Sequence, residues 1–269
     1  MKSDYHLHTW HSADSETPMR SMIEEGIRIG LKTMCFTEHM DYDTPKEMGD
    51  FELNTEAYFN EYRCLKEEYQ DKMELLFGVE LGLQAHLAEK HEAYVQKYPF
   101  DFIIGSSHVV RGCDPYYPSF FEGRTEESCY LEYFESIEKN IRAFSDFDSY
   151  GHLDYVVRYG PNKNRDYSYE KYREILDGIL KLLIEKGIAL EVNSGGIKYG
   201  LGEPNPSVDV IRAYRKLGGE LITLGSDAHT PEYLAYEFKK LRQILEECGF
   251  TRYTEFRKRK PEFVELTNI

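Results

Sequence analysis

His6 and His8 stand two residues apart in Tyr5-His6-Leu7-His8-Thr9-Trp10-His11-Ser12-Ala13-Asp14. On a strand that spacing points both imidazoles to one face. Paired imidazoles are poor core residues and good ligands for a borderline cation, although an isolated His-x-His is as readily a surface pair. What separates the two readings is that the same residue types return down the chain. They appear as Glu38-His39, Glu80, Ser106-Ser107-His108, Gly151-His152-Leu153-Asp154, Glu191 with Asn193, and Asp227-x-His229.

Each of these groups follows or ends a short apolar stretch. Seven such stretches occur, at 2–7, 33–37, 75–79, 102–105, 148–153, 188–192 and 221–225. Continuous apolar runs of this length suit strands buried on both faces of a parallel sheet. Between them lie patterns of helical period at 19–30, 55–70, 127–144, 169–186, 207–217 and 232–248. Thr17-Pro18 opens the first, and Lys186-Gly187 and Leu217-Gly218-Gly219 close later ones. The alternation predicts an α/β fold with a parallel sheet, and the absence of a linker or repeat predicts one domain over 1–269. In a barrel, parallel strands deliver their C-terminal ends to one mouth, so ligands scattered along the chain would meet in one pocket.

Six of the nine histidines fall at strand ends (His6, His8, His39, His108, His152 and His229), with His11 close by. His86 and His91 fall in a helical stretch and read as surface residues. With the carboxylates Asp14, Glu80 and Asp227, the six imidazoles are too many for one ion. They suit two or three divalent ions of zinc, manganese or iron, one carboxylate bridging. No cysteine stands at a strand end, which disfavours a structural thiolate site. Three divalent ions against three carboxylates leave a positive pocket that suits a phosphate dianion.

Composition bounds the rest. With 33 basic and 48 acidic residues the net charge is -15, which argues against a nucleic-acid partner. The five cysteines form no Cys-x-x-Cys pair and read as reduced thiols. No apolar run reaches the roughly 18 residues of a membrane helix. The N-terminus enters a strand pattern at once, without a signal-peptide pattern. A cytoplasmic protein without a membrane partner is expected. The segment 110–126, rich in Pro and Gly, is expected to be a long loop, and Arg257-Lys258-Arg259-Lys260 a solvated face or frayed end.

Taken together, His6-x-His8, Asp14, Glu38-His39, Glu80, His108, His152 and Asp227-x-His229 resemble the polymerase-and-histidinol-phosphatase (PHP) family. Thr37-Glu38-His39, Gly151-His152-Leu153-Asp154, Glu191-Val192-Asn193 and Gly225-Ser226-Asp227-Ala228-His229 look most like its stand-alone members that act on histidinol phosphate. The resemblance implies a distorted seven-stranded (β/α)7 TIM-like barrel with a trinuclear site. In that pattern His6, His8, Glu80 and Asp227 hold one ion, Glu80 bridges to a second on His108 and His152, and Asp14, His39 and His229 hold a third. Asp14 stands where some members carry histidine.

The implied reaction is metal-dependent hydrolysis of L-histidinol phosphate, a step of histidine biosynthesis, by in-line attack of a metal-bridging hydroxide. Catalysis would rest on Arg158, Asp227 and His229. Arg158 is the phosphate clamp, since an arginine fork matches phosphate geometry. Lys198, where the family often carries arginine, adds a second cation, and the glycines of 193–200 would let backbone N–H groups approach phosphate. Asp154, Glu191 or a metal-bound water could protonate the leaving alkoxide, and any of them could instead orient a ligand. Asp114, Tyr116 and Tyr117 could read the amine or imidazole of the substrate. The competing readings are the same chemistry on a nucleotide, a phosphotyrosyl protein or a nucleic-acid end, and a metal-bound module without turnover.

Overall fold

In the computed structural model, which describes residues 3–269, seven parallel strands alternate with helices around a nearly closed barrel. The strands run β1 (Ser3–Asp4), β2 (Thr33–Asp41), β3 (Glu74–Gly82), β4 (Phe102–Ser106), β5 (Ser149–Tyr150), β6 (Ala189–Asn193) and β7 (Ile222–Gly225), paired in sequence order. The ring closes between its first and last strands. The Tyr5 N–H donates to Leu224 O at 3.2 Å, and Leu7 bridges Ala228 in parallel. All seven predicted stretches thus become strands, although residue 2 lies outside the described residues.

The first and fifth strands are far shorter than their apolar stretches. At β1 the ladder gives way to a side chain: the Asp4 carboxylate accepts from the His6, Ser226 and Ala235 N–H groups and from Ser226 Oγ–H. That buried carboxylate ties β1 to the turn after β7, where Asp227 and His229 sit.

The helices are α1 (Met19–Ile29), α2 (Thr55–Tyr69), α3 (Ala88–Val95), α4 (Glu126–Ala143), α5 (Arg173–Lys186), the single turn α6 (Gly195–Lys198), α7 (Val208–Lys216) and α8 (Phe238–Glu247). Local chemistry sets several ends. Asn54 and Thr125 accept from the N–H groups of Ala57 and Ser128 at the starts of α2 and α4. Gly187, at φ 69°, ends α5 in the left-handed region. No helix among the described residues is long and apolar enough to cross a membrane.

Inside the barrel the polarity changes along each strand. Cys35, Leu76, Phe102, Ile104 and Ala189 form an apolar layer with Tyr5 and Phe256. On the same face, nearer the C-terminal ends, stand His39, Glu80, Ser106 and Glu191. The apolar end is sealed by a hairpin the sequence reading missed, β8 (Arg252–Arg257) and β9 (Lys260–Glu265). The basic run is its turn and not a frayed end, with Lys258 and Lys260 exposed to solvent. Lys258 and Arg259 take positive φ, while Arg257 pairs with Glu74 and Glu262, and Arg259 with Asp146 and Asp148. His91 also departs from expectation: it is fully buried on α3, between Tyr42 and Phe144, and neither ring nitrogen has a partner.

Candidate metal centre and active site

The strand ends converge. Glu80, near the end of β3, is fully buried and stands at the centre of five imidazoles. Its Oε2 lies 3.1 Å from His6 Nε2, 3.5 Å from His8 Nε2 and 3.1 Å from His39 Nδ1. Its Oε1 lies 2.9 Å from His152 Nε2 and 3.3 Å from His108 Nε2. Asp227 Oδ1 is 3.7 Å from His6 Nε2 and 3.6 Å from His8 Nε2. Asp14 Oδ2, nearer solvent, is 3.1 Å from His229 Nε2 and 3.5 Å from His39 Nε2. All nine predicted ligands therefore share one region.

A close fit to cations is visible in the unpaired atoms. His8 Nε2 and His39 Nδ1, which face Glu80, are buried without a hydrogen-bond partner. Donor atoms of His6, His8 and Glu80 lie within 4.8 Å of one another, as do those of Glu80, His108 and His152. Those of His8, His39 and His229 form another such group, because the His8 ring stacks on both His39 and His229 at centroid separations of 4.2 and 4.3 Å. Buried nitrogens facing carboxylates at these separations suit borderline divalent ions.

A second layer fixes which nitrogen faces inward. His6 Nδ1–H donates to Glu191 at 2.6 Å, His108 Nδ1–H to Asp41 at 2.8 Å and His229 Nδ1–H to Asp227 O at 3.1 Å. His8 Nδ1–H donates to Ser12 Oγ, whose own proton goes to Glu38. In each case the opposite nitrogen, Nε2, is left to present its lone pair to the cluster. Glu38 is thus a support and not a ligand. Asp41 was missed by the sequence reading, though it lies two residues beyond His39 on β2 and so on the same face. Close packing requires Gly225 here: a Cβ would stand 2.2 Å from Glu191 Oε1 and 2.4 Å from His6 Cβ.

Burial opposes ionisation of Glu80 and Asp227, but the imidazoles around them, with Arg158 beside Asp227, hold both carboxyls well below the usual range. Burial likewise disfavours charge on the imidazoles. It prevails at His8, aided by His39 and His229, and pushes that pKa well down. At His6, His39 and His108 the carboxylates win and raise it, at His108 to about 10.

A cavity of about 500 Å³ opens on the cluster, lined among others by Arg158, Lys198, Asp227, His229 and an aromatic wall of Tyr155, Tyr159 and Tyr199. Arg158 is buried, and three of its N–H groups are held: Nε by Asn205 at 2.7 Å, Nη1 by Asp227 at 2.9 Å and Nη2 by Asn193 at 3.0 Å. The remaining Nη protons are left for a ligand oxygen. Lys198 lies at the rim, its Nζ 4.0 Å from the Tyr233 ring centroid.

One expectation changes, and for Asp154 and Glu191 the geometry fits the orienting alternative. Residues 195–198 form the turn α6, and Gly195 makes room for the Arg158 guanidinium, since a Cβ would stand 2.7 Å from Nη2. The Gly195 N–H donates to Asn193 and so is not turned to phosphate. Neither Asp154 nor Glu191 lines the cavity. The Asp154 carboxylate receives Asn205 and the Ser207 N–H, and Glu191 receives His6, Asn193 and the His152 N–H, so both orient other groups.

Comparison with known proteins agrees with this geometry. The profile of the PHP domain family matches residues 4–195. The chain is 35% identical to the histidinol-phosphatase of Lactococcus lactis, across 95% of this chain and 94% of that protein. It is 29% identical to a probable histidinol-phosphatase of Clostridium acetobutylicum, across 93% and 94%. A crystal structure of the Lactococcus lactis histidinol phosphate phosphatase, complexed with zinc, L-histidinol and phosphate, superposes with a TM-score of 0.87 at 34% identity, covering 97% of this chain and 98% of that one.

Proposed function

Because this chain belongs to the PHP domain family, we propose that it is a metal-dependent phosphomonoesterase that hydrolyses L-histidinol phosphate to L-histidinol and phosphate. Residues 1–269 act as one phosphoesterase domain. The observation that carries the reading is that the imidazole–carboxylate cluster and Arg158 open into the same cavity.

In this reading two or three divalent ions of zinc, manganese or iron bind. His6, His8, Glu80 and Asp227 hold one, Glu80 with His108 and His152 a second, and Asp14, His39 and His229 a third. Such ions lower the pKa of water and neutralise charge on phosphate oxygens. Arg158 orients the phosphate through its free Nη protons, held in place by Asn193, Asn205 and Asp227. Lys198 adds positive charge at the rim. Asp227 joins the clamp to the cluster, and the His229 Nδ1–H bond to the Asp227 carbonyl keeps Nε2 facing inward. The tyrosine wall limits water around the ester. Hydrolysis breaks the bond from phosphorus to the alkoxide oxygen, forms one to the oxygen of water, and leaves a proton on the departing alcohol.

The test is phosphate release from L-histidinol phosphate, phosphotyrosine and a nucleoside monophosphate, with metal content measured on the same sample. Strong preference for L-histidinol phosphate supports the assignment. Equal or reversed preference overturns the substrate, and no hydrolysis with zinc, manganese or iron overturns the activity.

A further inference from the structure

Arg158 carries its charge in the interior, and part of what holds it is a neutral amide. Its Nε–H donates to Asn205 Oδ1 at 2.7 Å, and Asn205 is fully buried. A carboxamide has a donor end and an acceptor end of nearly the same shape, so holding Arg158 requires something to settle which end faces it. A guanidinium has donors only. An Asn205 amide turned end for end would set N–H against N–H inside the protein, where an unmatched polar group is costly.

The backbone does not settle it. Both main-chain groups of Asn205 pair with Asn193 at the end of β6, at 2.8 and 2.9 Å, which places the residue but leaves its amide free to turn. Gly196 makes room for that amide, since a Cβ would stand 2.8 Å from Asn205 Oδ1. The donor end meets Asp154, a buried carboxylate. Asn205 Nδ2–H donates to Asp154 Oδ1, and the Ser207 N–H donates to Oδ2 at 2.9 Å. Both Asp154 oxygens are thus acceptors, and the amide can satisfy its two neighbours only with Oδ1 toward Arg158.

Two carboxylates therefore act on the guanidinium in different ways. Asp227 touches it directly and is shared with the imidazole cluster. Asp154 reaches it through the amide. We propose that Asp154 is a positioning residue for the phosphate clamp: it orients Asn205, and Asn205 keeps the free Nη protons of Arg158 aimed into the cavity. Neither Asp154 nor Asn205 lines that cavity, so neither touches the substrate. The proposal rests on the phosphatase reading above and adds to it the device that presets the clamp.

Exchanging the two side chains is the test. Asp154→Asn leaves one oxygen for two donors, and Asn205→Asp sets two buried carboxylates face to face. With both changes every donor again meets an acceptor: the amide at 154 takes the Ser207 N–H and donates to the carboxylate at 205, which still accepts from Arg158. At matched metal content, each single change is expected to raise KM for L-histidinol phosphate and the inhibition constant of inorganic phosphate by about tenfold, with a smaller effect on kcat. The double variant is expected to recover most of that loss. A double variant at least as impaired as the worse single one overturns the proposal. So does loss of metal in Asp154→Asn, which would place that carboxylate with His152 and the cluster. Should a single variant fail to fold, the double variant decides: it must fold and bind inorganic phosphate within about threefold of wild type, and failing either overturns the proposal. Wild-type protein that releases no phosphate from L-histidinol phosphate overturns the phosphatase reading itself, whereas an active wild type with an unrecovered double variant overturns only the role of Asp154.

Discussion

Arg158 and Asp227 form a buried ion pair, Nη1 to Oδ2, at 2.9 Å. The other Asp227 oxygen faces His6 and His8, so one carboxylate joins the proposed phosphate clamp to the cation cluster. The arginine is fixed before any ligand arrives, which lowers the ordering cost of binding phosphate.

Replacing that arginine separates the two roles. Arg158→Ala is expected to lower kcat/KM by about 10²- to 10³-fold, the size typical of losing one oriented donor to developing charge. Bound metal stays near the wild-type amount, because Glu80 and the imidazoles remain. Elemental analysis showing metal lost in parallel with activity would assign Arg158 to building the cluster.

Glu80 is the carboxylate shared by two groups of imidazoles. Glu80→Gln is therefore expected to remove more than one ion per chain, and His108→Ala only one. Metal counted by mass spectrometry after dialysis checks this. Loss of a single ion in both variants would show that Glu80 serves one group alone.

Metal binding should release protons. In the metal-free protein the carboxylates raise the pKa values of His6, His39 and His108, against the effect of burial, so these imidazoles carry protons at neutral pH. A cation must displace those protons, so apparent affinity rises with pH. Titration calorimetry in two buffers of different ionisation enthalpy reads the release directly, and identical heats in both would contradict it.

His91 predicts an acid limb of stability away from the site. Burial lowers its pKa from 6.5 to about 4. Between those values the unfolded chain binds more protons than the folded one, so stability falls as pH falls. The buried neutral ring contributes on the order of 3 kcal/mol above pH 6.5, lost progressively towards pH 4. His91→Leu should flatten the drop in melting temperature across that window, and an unchanged slope would rule it out.

Much of this was legible in the chain itself. Strands such as 102–105 read clearly because a parallel strand is apolar on both faces, and Gly187 marked the end of α5. The ligand types were visible because each stood at the end of an apolar stretch. The β8–β9 hairpin was hidden, since its turn uses Lys258 and Arg259 where glycine or asparagine would have signalled it. Its stability comes from distant acids such as Glu74 and Asp148.

The amino-acid order by itself determined the strand–helix alternation of a parallel α/β fold and the set of chemistry-bearing residues at its strand ends, because periodicity and strand-end position are local properties of a chain. The barrel was implied by the family resemblance and appears in the tertiary structure. Only the tertiary structure decided which nitrogen of His6, His8, His108 and His229 faces inward, that His91 is buried, and that Arg158 is held from three sides. Those outcomes depend on partners such as Glu191, Phe144 and Asn205 contributed by other elements, and a contact across that distance leaves no period in the sequence.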